Sequence, residues 1–317
     1  MKKTLVLILK IVLSAGLIWY IFRRIDFSSA WATMASIPPG AVMAAIGILL
    51  VQLVLSSFRL KELLRQLGRD CSLPALLDIG WIGSFFSQTL ISFVGGDAMR
   101  VWRMVRFKIP VSVATQAVLL DRLAGFGGIV VVLLATIPFL VPLLQSLEME
   151  IGLLLIAVGV LGFLFLVLVL RRLPERFTRY RIVAVLADFA ARGIYIARSG
   201  RGAARVVGLS VLIQFANVLV LYILARGLSI DLGFGMFVIF MPTVLFLSML
   251  PISIAGWGVR EGAMVSALAV LGVPEYQSLA LSICFGLALV FISLPGGLIW
   301  FLSRRQLAQV GATPARP

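Results

Sequence analysis

The feature that most limits what this chain can become is a succession of apolar runs, each close to the roughly 20 residues that cross a bilayer as a helix. They fall near 4–22, 40–58, 120–141, 151–170, 206–225 and 277–302. Two further apolar segments, 76–94 and 234–255, each run into a glycine-containing break. Of the 317 residues, 61% are hydrophobic and 13% charged, about half the charged fraction usual in a soluble domain. Backbone N–H and C=O groups in hydrocarbon must be satisfied within their own segment, so an all-α polytopic membrane protein follows. No stretch is long and polar enough to fold as a separate soluble domain, and residues 1–317 read as a single integral membrane domain.

Basic residues set the topology. Lys and Arg total 28 against 13 Asp and Glu, a formal net charge of +15. In a membrane chain such an excess marks cytoplasmic loops and meets anionic lipid headgroups rather than nucleic acid. The stretch 59–69 (RLKELLRQLGR), the set Arg100, Arg103, Arg106 and Lys108, and the basic connection 171–205 read as cytoplasmic; the turn carrying Glu148 and Glu150 reads as outside. Both termini then lie in the cytoplasm, with about six full spans and two hairpins that return to the side they entered. Arg23 and Arg24 run against this arrangement. They also precede any cleavage-like small residues, so the apolar N-terminal run is expected to stay as a first span rather than leave as a signal peptide. Histidine is absent, which removes His-based acid–base chemistry and His metal sites. Cys71 and Cys284 lack metal-ligand spacing and read as structural. No metal or cofactor is expected, and nothing resembles the GxxxxGK[ST] loop of a nucleotide hydrolase.

Two stretches, ISFVGGDAMR from residue 91 and ISIAGWGVRE from residue 252, each leave an apolar run, break at glycine and put charge just beyond, at an offset of 161. The same offset relates Arg65 to Arg226, Asp70 to Asp231, Ser87 to Ser248, Gly95 to Gly256, Gln116 to Gln277 and Gly125 to Gly286. The chain therefore reads as an internal duplication, approximately 40–145 and 201–305. Going from the span at 40–58 to its counterpart at 206–225 means moving three full spans along the chain, and an odd shift inverts orientation. Inverted repeats with broken helices are the architecture of many secondary transporters, whose substrate sites lie where the repeats meet.

A helix break in hydrocarbon must face protein or water. Gly95 and Gly96 form the first break; Gly256, Trp257 and Gly258 form the second. Asp97 is placed to cap a new helix. The N–H groups of such a helix, with the forked guanidinium of Arg100, suit the oxygens of a phosphate. Arg260 and Glu261 stand in the corresponding place after the second break. The two re-entrant hairpins would together form a polar path for a lipid headgroup while its acyl chains stay in the bilayer. Asp121 and Arg122 read either as deep functional charges or as a local salt bridge at the interface, because residues 123–141 alone are 19 residues without a charge. Arg103, Arg106 and Lys108 read as snorkelling residues, Arg59 as a positive-inside anchor, and Lys10 as near enough to the cytoplasm to snorkel. Trp257 reads either as an interfacial anchor or as part of the site.

The runs FVGGDAMRVWRM (93–104), VLLDRLAGFGG (118–128) and LPISIAGWGVREGAM (250–264) resemble, in that order, the flippase-like membrane domain of lysylphosphatidylglycerol synthases. That domain also occurs alone in bacteria and archaea, and the resemblance covers essentially the whole chain. It implies a lipid-translocating domain of the cell (inner) membrane. It also implies that Gly95, Gly96, Asp97, Arg100, Asp121, Arg122, Gly256, Gly258, Arg260 and Glu261 occupy the family's motif positions. The full synthases carry a large soluble aminoacyl-transferase domain. The tail after Trp300 is short, so lysyl transfer is not expected of this chain, and a separate enzyme would make any aminoacylated lipid.

The leading expectation is a non-catalytic flippase or scramblase moving a phospholipid or lipid-linked substrate, polyprenyl-phosphate and aminoacylated lipids included. A membrane-embedded lipid-phosphate or glycosyl transferase is the alternative, with Asp97, Asp121 and Glu261 as base or metal ligands; its carboxylates are few and unclustered. A scaffold docking a lipid-modifying partner through 171–205 comes third, since charge runs of this kind usually do no more than set topology.

Overall fold

The computed structural model describes residues 27–89, 95–143, 199–249 and 256–310, with Gly162 and Gly193. The expected span at 4–22, that at 151–170 apart from Gly162, Lys10, Arg23, Arg24, Glu148, Glu150 and most of the basic connection lie outside the described residues. Among those described, the chain is helical and free of strands: α1 Phe27–Ala35, α2 Pro39–Gln66, α3 Leu73–Thr89, α4 Gly95–Arg106, α5 Val111–Leu140 with a short 3-10 extension Val141–Leu143, α6 Arg201–Gly227, α7 Phe234–Met249, α8 Val259–Ala269 and α9 Glu275–Val310. Among the described residues, four elements are long and apolar enough to cross a membrane: Pro39–Gln66, Val111–Leu143, Arg201–Gly227 and Glu275–Ser303.

Proline and glycine place the boundaries. α2 opens with Pro39 at its first position, where the missing N–H has no helical partner to lose. It ends where Gly68 takes φ +73 and the Arg69 N–H turns back to the Leu64 carbonyl. α6 ends the same way: Ser229 takes φ +60 and the Ile230 N–H reaches the Ala225 carbonyl. α5 and α9 start just after Pro110 and Pro274, whose carbonyls accept from Ala114 and Ser278.

The two broken segments each become a pair of helices. α3 has 17 residues and α4 has 12, while α7 has 16 and α8 has 11. At about 1.5 Å per residue, none of the four reaches the roughly 30 Å of a hydrocarbon core. α3 and α4 run antiparallel. Gly96 at the start of α4 lies against the Gly83 carbonyl and Ser87, while Arg103 near its end bonds Asp78 near the start of α3.

α2 and α6 also pack antiparallel. At one end Ser199 donates to Gln66 and Arg205 meets Glu62; at the other Gly227 lies against Ile37 and Ala41. α3 packs on α9, where Gly296 and Gly297 let the backbone come up to Trp81 and Phe85 and the Trp81 indole donates to the Ile292 carbonyl at 3.1 Å. α7 packs on α5, with the Phe126 and Phe246 rings 5.3 Å apart. A large core gathers Ile129, Leu133, Leu221, Leu224, Phe237 and Phe240; a smaller one gathers Leu60, Leu64, Leu76, Ile79, Met104 and Val118. Val131, Leu134 and Phe139 of α5 and Phe291, Leu294 and Leu298 of α9 stay exposed. Water would penalise so broad an apolar surface, whereas lipid would not.

Candidate functional site

Asp121 lies ten residues into α5, about 15 Å along the helix, and is 3% exposed. A carboxylate buried there needs compensation, and both its oxygens have it. Oδ1 accepts from Arg59 Nε of α2 at 2.8 Å, and Oδ2 accepts from Arg100 Nη2 of α4 at 2.8 Å. Arg59 also donates from Nη1 to Ser210 Oγ of α6 at 3.2 Å. The next residue, Arg122, turns about 100° round the helix and donates from Nε to the Asp97 carboxylate at 2.8 and 3.1 Å. Asp97 is also 3.9 Å from Arg100 Nη1. Four helices are thus tied by one charged cluster.

Small residues make the room. Gly125, one turn beyond Asp121, leaves space for the Arg59 guanidinium, and Gly83 of α3 lets the Arg100 stem lie where any Cβ would overlap it. The cluster holds three arginines and two aspartates, so one positive charge is left over.

The cluster opens onto a cleft of two adjoining lobes, about 280 and 260 Å³. Asp97, Arg100, Asp121, Arg122, Ser87 and Gln88 line the first; Gln52, Gln214, Asn217 and Trp81 line the second. Arg59, Ser56, Ser84 and Gly125 line both. In the second lobe Gln214 donates to the Gly125 carbonyl at 3.4 Å and Asn217 donates to Gln214 Oε1 at 3.3 Å. Two buried polar atoms of the cleft walls, Arg100 Nε and Gln52 Oε1, have no hydrogen-bond partner among the described residues.

Asp97, Arg100, Asp121 and Arg122, from two separate sequence motifs, thus meet in one place. Several local expectations change. Of the two readings of Asp121 and Arg122, the local salt bridge is not the one formed: Asp121 is buried and bonded to Arg59 and Arg100, and Arg122 reaches Asp97. Arg59, expected to be an anchor at the end of its span, is 7% exposed and central to the cluster. Asp97 stands third in α4, which begins at Gly95, and gives its carboxylate to Arg122 instead of capping the helix from outside. Arg103 does not snorkel; it makes a two-pronged pair with Asp78 at 2.6 and 2.8 Å. Arg106 is exposed over the Trp102 ring and Lys108 is exposed at φ +62. The sequence reading missed Gln52, Ser210, Gln214 and Asn217, although amide side chains inside apolar helices were a usable signal.

The second motif builds a different object. Gly256 and Gly258 sit at φ +82 and +87, a region open to glycine at no steric cost. Glu261 folds back to accept the Gly258 N–H. Its Oε1 accepts from Arg260 Nη2 at 2.8 Å and from Ser282 Oγ at 3.0 Å, while Arg260 Nε also meets Ser282 at 3.1 Å. The Arg260 guanidinium lies 4.7 Å over the Trp257 ring and packs on Gly286. Arg260 and Glu261 are each 4% exposed. The Gly258 N–H expected to face an anionic headgroup is therefore met by the chain's own carboxylate. None of Gly256, Trp257, Gly258, Arg260 and Glu261 lines the cleft. The two breaks lead to two clusters, one open and one closed. No group of three or more Cys, Asp or Glu that could hold a metal occurs among the described residues.

A comparison with curated proteins found no match. A family profile does match: that of the lysylphosphatidylglycerol synthase TM region, over residues 7–296, taking in both charged clusters and the cleft. The chain, a helical multi-pass membrane protein, belongs to the lysylphosphatidylglycerol synthase transmembrane-region family.

Proposed function

We propose that this chain moves a lipid between the leaflets of the cell membrane, its headgroup passing through the cleft beside Arg59 and Arg100 while the acyl chains remain in hydrocarbon. One observation carries the reading: a buried cluster with a surplus positive charge opens onto a polar cleft inside a membrane domain of this family. A headgroup crossing a bilayer needs its water replaced by fixed polar groups, and guanidinium forks suit phosphate oxygens.

The inverted repeat belongs to the same proposal. Exchanging α2 with α6, α3 with α7, α4 with α8 and α5 with α9 carries the set of helix neighbours onto itself. α2 and α6, which would be equivalent, run antiparallel, and both close in the same turn at Leu67 and Leu228. Gly193 even lies against Leu123 of α5 as α1 lies against α9. The α3–α4 and α7–α8 pairs would then be the re-entrant hairpins of the two repeats. A transferase reading is less well supported, since both carboxylates of the cleft are already engaged by arginines.

The test is translocation in proteoliposomes, using headgroup-labelled phosphatidylglycerol, lysylphosphatidylglycerol and a polyprenyl phosphate with a quencher confined outside. Protein-dependent loss of inner-leaflet signal is expected. Arg100→Ala should cut it at least tenfold while the fold survives, because Asp121 keeps Arg59. A folded protein that moves none of the three lipids would sink the proposal.

A further inference from the structure

The two lobes of the cleft differ in chemistry, and the difference selects among headgroups. We infer that the cleft recognises a phosphodiester headgroup of net charge −1 whose outer part is a neutral polyol, and that it discriminates against cationic, aminoacylated headgroups. This rests on the cleft being a headgroup site and names the class of lipid it takes.

Charge is the first argument. Arg59, Arg100 and Arg122 face Asp97 and Asp121, leaving a surplus of +1 that one phosphodiester neutralises. An aminoacylated headgroup carrying ammonium groups would bring its charge to three arginines. It would find the aspartate oxygens already accepting from guanidinium groups.

The orphaned atoms give the second argument. Buried polar atoms are nearly always hydrogen-bonded, so each exception calls for a partner. Arg100 Nε is a donor without an acceptor, and it stands in the charged lobe. A phosphate oxygen supplies the acceptor. Gln52 Oε1 is an acceptor without a donor, and it stands in the other lobe. A hydroxyl supplies the donor and can accept in turn from the Asn217 or Gln214 amide. Arg59 lines both lobes and so stands at the joint between phosphate and polyol.

The third argument is what the second lobe lacks. Its polar lining apart from Arg59 is Gln52, Gln214, Asn217, Ser56 and Ser84, all neutral. An ammonium placed there would have no carboxylate to replace its water. A site built to hydrogen-bond hydroxyls rejects an analogue without them, because its amides are left unpaired.

The test measures binding, so it does not depend on transport. Full-length protein in detergent micelles is titrated with dihexanoyl-phosphatidylglycerol, with dihexanoyl-phosphatidylmethanol (same charge, no hydroxyls), and with the lysylated form of the first. Phosphatidylglycerol should bind about tenfold tighter than phosphatidylmethanol, and the lysylated lipid weakest. Gln52→Leu should erase the difference between the first two without weakening phosphatidylmethanol. Gln52→Glu should shift preference toward the lysylated lipid, which a purely structural role for Gln52 would not do. Equal affinity for phosphatidylglycerol and phosphatidylmethanol in the wild type, or tightest binding of the lysylated lipid, overturns the inference even if both variants fail to fold. Deacylated glycerophosphoglycerol separates two sources of the same chemistry. Retained binding, with hydroxyl preference, identifies a soluble phosphodiester, and lost binding identifies the lipid. The expected ranking without translocation would overturn only the proposed function; the opposite ranking with translocation intact would overturn only this inference.

Discussion

The Asp121 cluster and the Arg260 cluster are built from similar residues in different arrangements. Around Asp121, charges from α2, α4 and α5 meet with one arginine more than the carboxylates can neutralise, and an N–H of Arg100 stays unpartnered beside a cleft. Around Arg260, one arginine and one glutamate balance in charge and bond each other and Ser282, Trp257 covers the guanidinium and Glu261 closes its own helix start. Burial alone therefore does not tell the two clusters apart. What separates the two is whether charge balances within the cluster and whether the cluster lines the cleft.

That contrast is open to attack. Asp121→Ala should have the largest effect, since it leaves Arg59 and Arg100 buried without their carboxylate. A loss of about 3–5 kcal/mol is expected for breaking such a pair, read as a lowered thermal midpoint in detergent, with translocation lost as well. Arg260→Ala should cost about 3 kcal/mol by stranding Glu261, yet leave the folded protein translocating within about twofold of wild type. The double change Arg260→Met with Glu261→Gln should recover much of that stability, because no charge is left alone. If Arg260→Ala instead removed translocation from a stable protein, the closed cluster would be functional and the contrast would collapse.

Two glycines 161 positions apart sharpen the comparison. A Cβ at Gly286 would overlap the Arg260 guanidinium, whereas at Gly125 it would meet Arg59 at 3.4 Å, close to ordinary contact. Gly286→Ala should lower stability by about 1–3 kcal/mol, as overpacking does, and Gly125→Ala by clearly less. The smallest effect belongs to the Arg226–Asp231 pair, whose side chains are 52% and 93% exposed. Asp231→Ala should leave the melting curve unchanged within error, because exposed ion pairs contribute little.

Much of this fold was legible residue by residue. Apolar runs located the four long helices, and the glycine breaks located the pairs α3–α4 and α7–α8. Pro39 stands in the first turn of α2, where proline fits, and Pro110 and Pro274 stand just before α5 and α9, although hydropathy alone does not place these starts. The charged residues of the motifs were legible as unusual, but their partners were not. Adjacency left a local Asp121–Arg122 bridge as open as a pair of deep charges, and the partners that decide it, Arg59 and Arg100 for Asp121 and Asp97 for Arg122, lie on other helices. Arg59 looked like a terminal anchor because nothing near it in sequence reveals the carboxylate 62 positions further on.

The sequence by itself determined a helical membrane protein, where its helices break, and which segments carry charge. These follow from hydropathy and from the backbone limits of glycine and proline, which act within a few residues. Only the tertiary structure decided that Asp97, Arg100, Asp121 and Arg122 share one site with Arg59 and Ser210, while Arg260 and Glu261 close on themselves. Compensation of a buried charge is settled through space, between helices whose residues stand as far apart as Arg59 and Ser210, 151 positions along the chain.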